Sequence, residues 1–275
     1  MQTHFFNYWL ESLFRLQSGQ HRLLSKNEQV IVCMTSYPAR IRGAWIALES
    51  LFRQNSKNFT LVLVLSRSQF EGRLLPRSIR KQIKKGLKIL WVSEDNKSFD
   101  HLWPAYQAYP KSSIISVDDD KVFPPHLVAS LLDAAKRRPG VIIGSRGWEM
   151  KLSNGHLSFG EGWERANTTT PTRRLFMPPG NGSLYPPRSL PQRTGDTQLM
   201  ASICPTADDV WYWAMAWMND TESFCLGMPA HRPVWAQKKT PALADSAPGP
   251  ADFSATVDFF DIRSAIVQLL EKPTG

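Results

Sequence analysis

Residues 113–125 read SIISVDDDKVFPP, an apolar run that ends in three adjacent carboxylates, then a lysine and a double proline. A short continuous apolar run of this kind suits a strand buried on both faces. Three like charges side by side are costly without a counter-ion, so Asp118, Asp119 and Asp120 demand a cation. Hard divalent cations, Mg2+ and Mn2+, take oxygen ligands and commonly combine one or two carboxylates with phosphate oxygens. A D-x-D at a strand end supplies two such carboxylates, Asp118 and Asp120, from one turn. An exposed acidic turn or a helix cap is the plainer alternative.

Working back from that run, strand-like and helix-like segments alternate. EQVIVCMTSY (28–37) is an apolar run closing in small polar residues, and GAWIALESLFRQN (43–55) has helical spacing with a polar stop. FTLVLVLS (59–66) is the next strand. PRSIRKQIKKG (76–86) is a basic helix punctuated by Pro76 and Gly86. LKILWVSED (87–95) is a third strand, HLWPAYQAYP (101–110) a connecting helix, and SIISV the fourth strand. This β-α-β order predicts a mostly parallel sheet with helices on its faces, and such sheets bind ligands at the carboxyl ends of their strands. The acid run lies at that end.

Working forward, PPHLVASLLDAAKRRPG (124–140) reads as a helix and VIIGSRGW (141–148) as a strand. Residues 151–190 are rich in Gly, Pro, Thr and Asn, which predicts a hairpin or loop region over a site. ADDVWYWAMAWMN (207–219) predicts a helix opened by acids. Residues 228–252 read as a flexible Pro/Ala-rich loop, and SATVDFFDIRSAIVQLLEK (254–272) as one closing amphipathic helix.

Composition narrows the function. The chain has 275 residues and 42% hydrophobic content, enough for a substantial core. Its 33 basic and 24 acidic residues give +9, which suits an anionic partner. Nucleic acid is not that partner on this reading, because the aromatics are not interleaved with basic residues and no binding motif is present. Cys33, Cys204 and Cys225 form no CxxC pair and read as reduced thiols. No stretch approaches the ~20 apolar residues of a membrane span. The opening MQTHFFNYWLESLFRLQ lacks the features of a secretory signal but has apolar residues at helical spacing. Residues 1–27 are therefore expected to form an amphipathic helix, packed on the domain or making a peripheral membrane contact.

In their order along the chain, CMTSYPARI, VDDDKVFPPHLV, GNGSLYPP and ADDVW resemble the bacterial GT-A-fold glycosyltransferases that build cell-surface polysaccharides, over about residues 28–235. The resemblance implies an α/β, Rossmann-like GT-A fold, with a nucleotide-sugar-binding half (28–150) and a loop-rich acceptor-binding half (151–275). It implies a nucleotide-sugar donor, a UDP-sugar being favoured, and a glycan or lipid-linked acceptor. It also implies Mn2+ or Mg2+ held by Asp118 and Asp120, with Asp119 on the donor ribose or sugar. The same likeness suggests a cytoplasmic location, at the inner membrane face.

Carried further, the resemblance makes Thr35, Tyr37 and Arg40 of TSYPAR a nucleotide-binding loop, where the planar fork of an arginine suits phosphate. It places Glu94 or Asp95 on the nucleobase. Relatives carry a lysine near FDHLW, where this chain offers His101. Asn181 and Gly182 of GNGS would lie beneath donor sugar and acceptor, and His231 would complete the metal shell. Arg232, Lys238 and Lys239 would put positive charge on a lid. Asp208 and Asp209 resemble the acidic pair of inverting members, with Asp209 favoured as the base that takes the acceptor's proton. Capping of the helix they open is the structural alternative. Trp148, Trp163, Trp211 and Trp213 could form a sugar-stacking platform, though core packing is the usual use of such residues. A nucleotidyl- or phosphoryl-transfer enzyme is the competing class, without a Walker P-loop or a D-x-D-x-T to support it.

Overall fold

The computed structural model describes residues 28–234 and 249–272, together with Ser12 and Phe14. The amphipathic helix expected over 1–27 lies otherwise outside the described residues, as do Lys238 and Lys239 of the expected lid. The chain forms two compact units, residues 1–133 with 230–241 and residues 134–229 with 242–275.

In the first unit the apolar runs become four strands: β1 (Val30–Thr35), β2 (Thr60–Ser66), β3 (Lys88–Val92) and β4 (Ser113–Val117). They lie in the order β4-β1-β2-β3 and every neighbouring pair is parallel. Residues 60–66 of β2 are buried throughout, which is why that strand reads as a continuous apolar run with no alternation. Helix α1 (Ile41–Phe52) buries all but one of its residues, the exception being Arg42. Its fully buried Glu49 is held by Lys85 at 2.8 Å and Arg53 at 3.3 Å. A short helix α2 (Arg67–Phe70) follows β2. Helix α3 (Arg77–Ile83) ends as its punctuation predicts. Gly86 takes φ +112, and Leu87 N–H reaches back to the Gln82 carbonyl, closing a Schellman turn. A 3-10 turn (Lys97–His101) leads into α4 (Trp103–Ala108).

Helix α5 (Leu127–Arg137) carries the chain from the first unit into the second. There β6 (Ile142–Gly144) pairs antiparallel with β10 (Asn181–Tyr185) and parallel with β11 (Ser223–Cys225). A small antiparallel sheet is built from β7 (Trp148–Glu149), β8 (Glu164–Arg165) and β9 (Leu175–Phe176). Helices α6 (Thr197–Ile203), α7 (Asp208–Met218), α8 (Gly249–Phe259) and α9 (Arg263–Glu271) complete the unit.

Three expectations change here. The loop expected to continue to residue 252 gives way to helix at Gly249. The single closing helix is two helices, because Asp261 turns into the left-handed region at φ +53 and Ile262 N–H bonds the Val257 carbonyl, a Schellman stop. The Gly-rich turn expected at GNGSLY is confined to its start, where Gly182 N–H bonds back to the Pro179 carbonyl, and Asn181–Tyr185 is the fully buried strand β10, in which Gly182 takes φ +89. Among the described residues no helix is long and apolar enough to cross a membrane.

Candidate functional site

Parallel strands deliver their carboxyl ends to one edge, and this geometry builds the first-unit site. β1 and β4 are neighbours with Ile31 opposite Ile114 and Cys33 opposite Ser116. The loop after β1 and the acid run after β4 therefore emerge side by side. Ser36 Oγ donates to Asp119 Oδ2 at 2.6 Å. Arg40 closes the same loop, and its Nη2 lies 2.8 Å from Asp119 Oδ1 and 2.9 Å from Asp120 Oδ2. Lys121 Nζ donates to Asp118 Oδ2 at 2.6 Å, and His101 Nδ1 lies 3.9 Å from Asp118 Oδ1. His101 is itself positioned through its backbone carbonyl, which accepts from Cys33 Sγ at 3.1 Å and Ser116 Oγ at 3.2 Å.

The charge crowding of the acid run is thus relieved by the protein's own cations. Arg40 and Lys121 therefore share the neutralisation that the sequence alone assigns to a bound cation. Burial pushes the Asp119 carboxyl up to about 7, against the opposing pull of Arg40 and Ser36. Burial also acts to raise Asp118, but Lys121, His101 and Arg40 together hold it below the ordinary carboxylate range.

Residue 231 comes to the same place from far along the chain. β12 (Arg232–Pro233) pairs antiparallel with β5 (Lys121–Val122), directly after the acid run. Val234 N–H donates to the Asp120 carbonyl at 2.6 Å, and the His231 ring meets Phe123 edge-on at 5.1 Å. Among the described residues, however, no three His, Cys, Asp or Glu side chains converge as a ready metal cluster. What fits a hard cation is Asp120: its Oδ1 is buried with no hydrogen-bond partner while Oδ2 is held by Arg40. Mg2+-type sites draw only one or two ligands from carboxylates and the rest from phosphate and water, so a three-ligand protein cage is not required.

Other expected donor contacts are less engaged. Thr35 Oγ1 is spent on the Val64 carbonyl of the neighbouring strand at 3.1 Å. The Tyr37 carbonyl accepts from Arg40 N–H and Ile41 N–H, so this residue builds the turn that presents Arg40. Glu94 and Asp95 follow β3 and are exposed. Asp95 is occupied locally, accepting from Gln69 Nε2 at 2.6 Å and Lys97 N–H at 2.9 Å.

In the second unit β10 is the organising strand. The Ser145 N–H donates to the Gly182 carbonyl at 2.9 Å, and its hydroxyl donates to the Asn181 carbonyl at 2.5 Å. Asn181 and Gly182 are buried. At the far end of the strand, burial holds the Tyr185 phenol well above its ordinary value, and the charges of Asp209 and Asp208 add to that rise. Asp208 and Asp209 are the first two residues of α7 and are half-buried. Neither caps it: the N-cap is Ala207, with no side-chain cap of its own. The cap comes from α8, where buried Asp252 Oδ2 accepts from Thr206 N–H (2.9 Å), Thr206 Oγ1 (2.8 Å) and Ala207 N–H (2.8 Å). Capping of α7 is therefore the work of Asp252 and of neither acid of the pair.

The four tryptophans divide between uses. Trp211 is fully buried and donates to the Thr194 carbonyl at 3.0 Å. Trp213 packs in an aromatic cluster with Phe176 and Phe253, and Trp163 meets Phe159, Phe176 and Phe253 at 5.3–5.8 Å. Trp148 stands under Arg165 at 5.2 Å. Sequence reasoning missed Ser36, Lys121 and Asp252. Lys121 carried a signal, because it lies three residues beyond Asp118 in the same short turn.

No family model matches the chain, and no curated protein matches it. Solved structures do. The crystal structure of S. aureus TarS in complex with UDP-GlcNAc is 14% identical, covers 89% of this chain and 70% of that one, and superposes with TM-score 0.52. TarS without that ligand is 12% identical over 85% of this chain and 73% of its own, TM-score 0.47. The mannosyltransferase PcManGT of Pyrobaculum calidifontis, solved with GDP-Man and Mn2+, is 13% identical over 83% of this chain and 65% of its own, TM-score 0.46. At these identities the likeness is one of fold, and the fold is the GT-A type expected from the sequence.

Proposed function

We propose that this chain is a glycosyltransferase that moves a sugar from a nucleoside-diphosphate sugar, a UDP-sugar, to a hydroxyl of a glycan or lipid-linked acceptor in surface-polysaccharide synthesis. The observation that carries the reading is the acid run Asp118–Asp120 at the carboxyl edge of a parallel sheet, with Asp120 Oδ1 buried and unsatisfied beside Arg40. The fold shared with TarS, which was solved with UDP-GlcNAc, supports the donor class.

Asp118 and Asp120 are the residues that would hold Mn2+ or Mg2+ on this reading, and a bound divalent cation would supply charge to the departing diphosphate. His231, next to the strand paired with Lys121–Val122, is the residue placed to approach it. Arg40 has a fork suited to phosphate and is held at the site by Asp119 and Asp120. Buried Asp119, bonded to Ser36 and Arg40, fixes the loop and offers the donor ribose or sugar an acceptor group. Asp209 takes the proton of the acceptor hydroxyl as its oxygen bonds to the anomeric carbon. The carbon–oxygen bond to phosphate breaks, and its electron pair leaves on the nucleoside diphosphate. A single displacement of this kind inverts the anomeric centre.

The test is a panel of UDP-, GDP- and CMP-sugars with Mn2+, read by donor hydrolysis and by change in melting temperature. One nucleotide-sugar class should stabilise the protein and be hydrolysed slowly. Stabilisation by none of them, with an oligonucleotide or a nucleoside triphosphate binding instead, would overturn the reading.

A further inference from the structure

A buried guanidinium with no carboxylate beside it is expensive, and among the described residues the second unit contains one. Arg146 is 9% exposed, its Nε is buried with no hydrogen-bond partner, and no ion pair or hydrogen bond of its side chain is present among the described residues. Arginines elsewhere are paired with carboxylates: Arg40 holds Asp119, Arg53 holds Glu49 and Arg263 holds Asp258. Removing such a charge from water without compensation works against folding, so an uncompensated one is kept for something that arrives later.

Its surroundings indicate what arrives. Arg146 follows Ser145, which is bonded on one side to Asn181 and Gly182 of β10 and on the other to Met228, whose N–H donates to the Ser145 carbonyl. Two residues on, Trp148 pairs with Phe176 in the small sheet, and Trp163 lies 5.4 Å from that Phe176 ring. The Trp163 indole N–H is also buried with no partner. Two unsatisfied donors, one of them cationic, flank the paired strands β7 and β8: Arg146 lies two residues before β7 and Trp163 one residue before β8, in the unit that carries Asp208 and Asp209. Both ask for oxygen acceptors, and one asks for negative charge.

We propose that Arg146 binds an anionic group, phosphate or carboxylate, on the acceptor substrate, with Trp163 donating to an oxygen of the same molecule. The proposal rests on the glycosyltransferase reading for the word acceptor, but the anion site stands on its own geometry. It makes the acceptor a charged glycan or phosphate-bearing polymer rather than a neutral sugar, in keeping with a net charge of +9.

The experiment uses the full chain in phosphate-free buffer, with sn-glycerol 3-phosphate and glucuronate as separate probes and UDP with Mn2+ as the donor-side control. Wild-type protein should bind at least one of the two probes, and which one binds distinguishes phosphate from carboxylate. Arg146→Met should weaken that binding by about tenfold or more, and Trp163→Phe should weaken it less. Without ligand, Arg146→Met should raise the melting temperature by about 2–4 °C, since it removes an uncompensated charge. Binding of neither probe, equal binding by the methionine variant, or a methionine variant that melts lower or fails to fold would overturn the proposal. So would a loss of UDP affinity in Arg146→Met, which would move Arg146 to the donor. If UDP does not bind wild-type protein but an anion probe does, the transferase reading fails while the anion site stands.

Discussion

Arg40 Nη2 stands 2.8 Å from Asp119 Oδ1, and both side chains are about nine-tenths buried. This pair is what lets three consecutive carboxylates sit at a strand end, and the same nitrogen reaches Asp120 at 2.9 Å. Replacing Arg40 by methionine would strand Asp119 and Asp120 against each other. Loss of one partner of a buried pair costs about 3 kcal/mol, so the variant should melt markedly lower. Mn2+ should restore part of that loss, because a divalent cation at Asp120 replaces the missing charge. Thermal melts with and without Mn2+ check this, and a variant as stable as wild type would contradict it.

Asp252 prepares the acidic pair from a distance. It satisfies two N–H groups and a hydroxyl at the start of α7, which leaves Asp208 and Asp209 uncommitted to capping. Asp252→Ala should cost about 1–2 kcal/mol in denaturant unfolding, the ordinary value of a lost cap. It should also slow sugar transfer with little change in UDP affinity. Unchanged stability would mean that α7 needs no external cap.

Asp209→Asn removes the proton acceptor and keeps the shape. Transfer should fall by about 10²–10⁴-fold, the usual contribution of a general base, while titration with UDP and Mn2+ stays near wild type. If Asp209→Asn retains transfer and Asp208→Asn abolishes it, the base is Asp208.

The three thiols offer a check on the packing. Cys33, Cys204 and Cys225 are buried and unbridged, and burial pushes Cys204 up to about 12. Since the thiolate is the reactive form, a thiol reagent at pH 8 should label none of them in the folded protein and all three in denaturant. Rapid labelling of one in the folded state would contradict the burial.

Much of the fold was legible because the first unit follows simple rules. Apolar runs such as FTLVLVLS are buried strands, and Pro76 and Gly86 bracket a helix by their backbone preferences. The carboxyl-edge position of Asp118–Asp120 followed from that order alone. What could not be read locally were contacts made across the chain. The guanidinium that neutralises Asp119 and Asp120 comes from Arg40 in the loop after β1, and the cap of α7 comes from Asp252, forty-odd residues away. GNGSLY was half legible: its glycines signal the turn that closes at Pro179–Gly180, but pairing with β6 draws the rest into β10. The closing helix broke at Asp261 because an aspartate tolerates the left-handed conformation that usually marks glycine. Arg146 gives no signal in sequence, since one arginine in VIIGSRGW does not reveal that its Nε will be buried without a partner among the described residues.

The central claim is that Asp118–Asp120 form a metal–diphosphate site. Calorimetric titration of UDP into the full chain, with Mn2+ and with chelator, measures it directly for wild type and Asp120→Asn. The account predicts Mn2+-dependent binding in wild type, weakened by about tenfold or more in Asp120→Asn. UDP binding that is equally tight with chelator and in Asp120→Asn would contradict it.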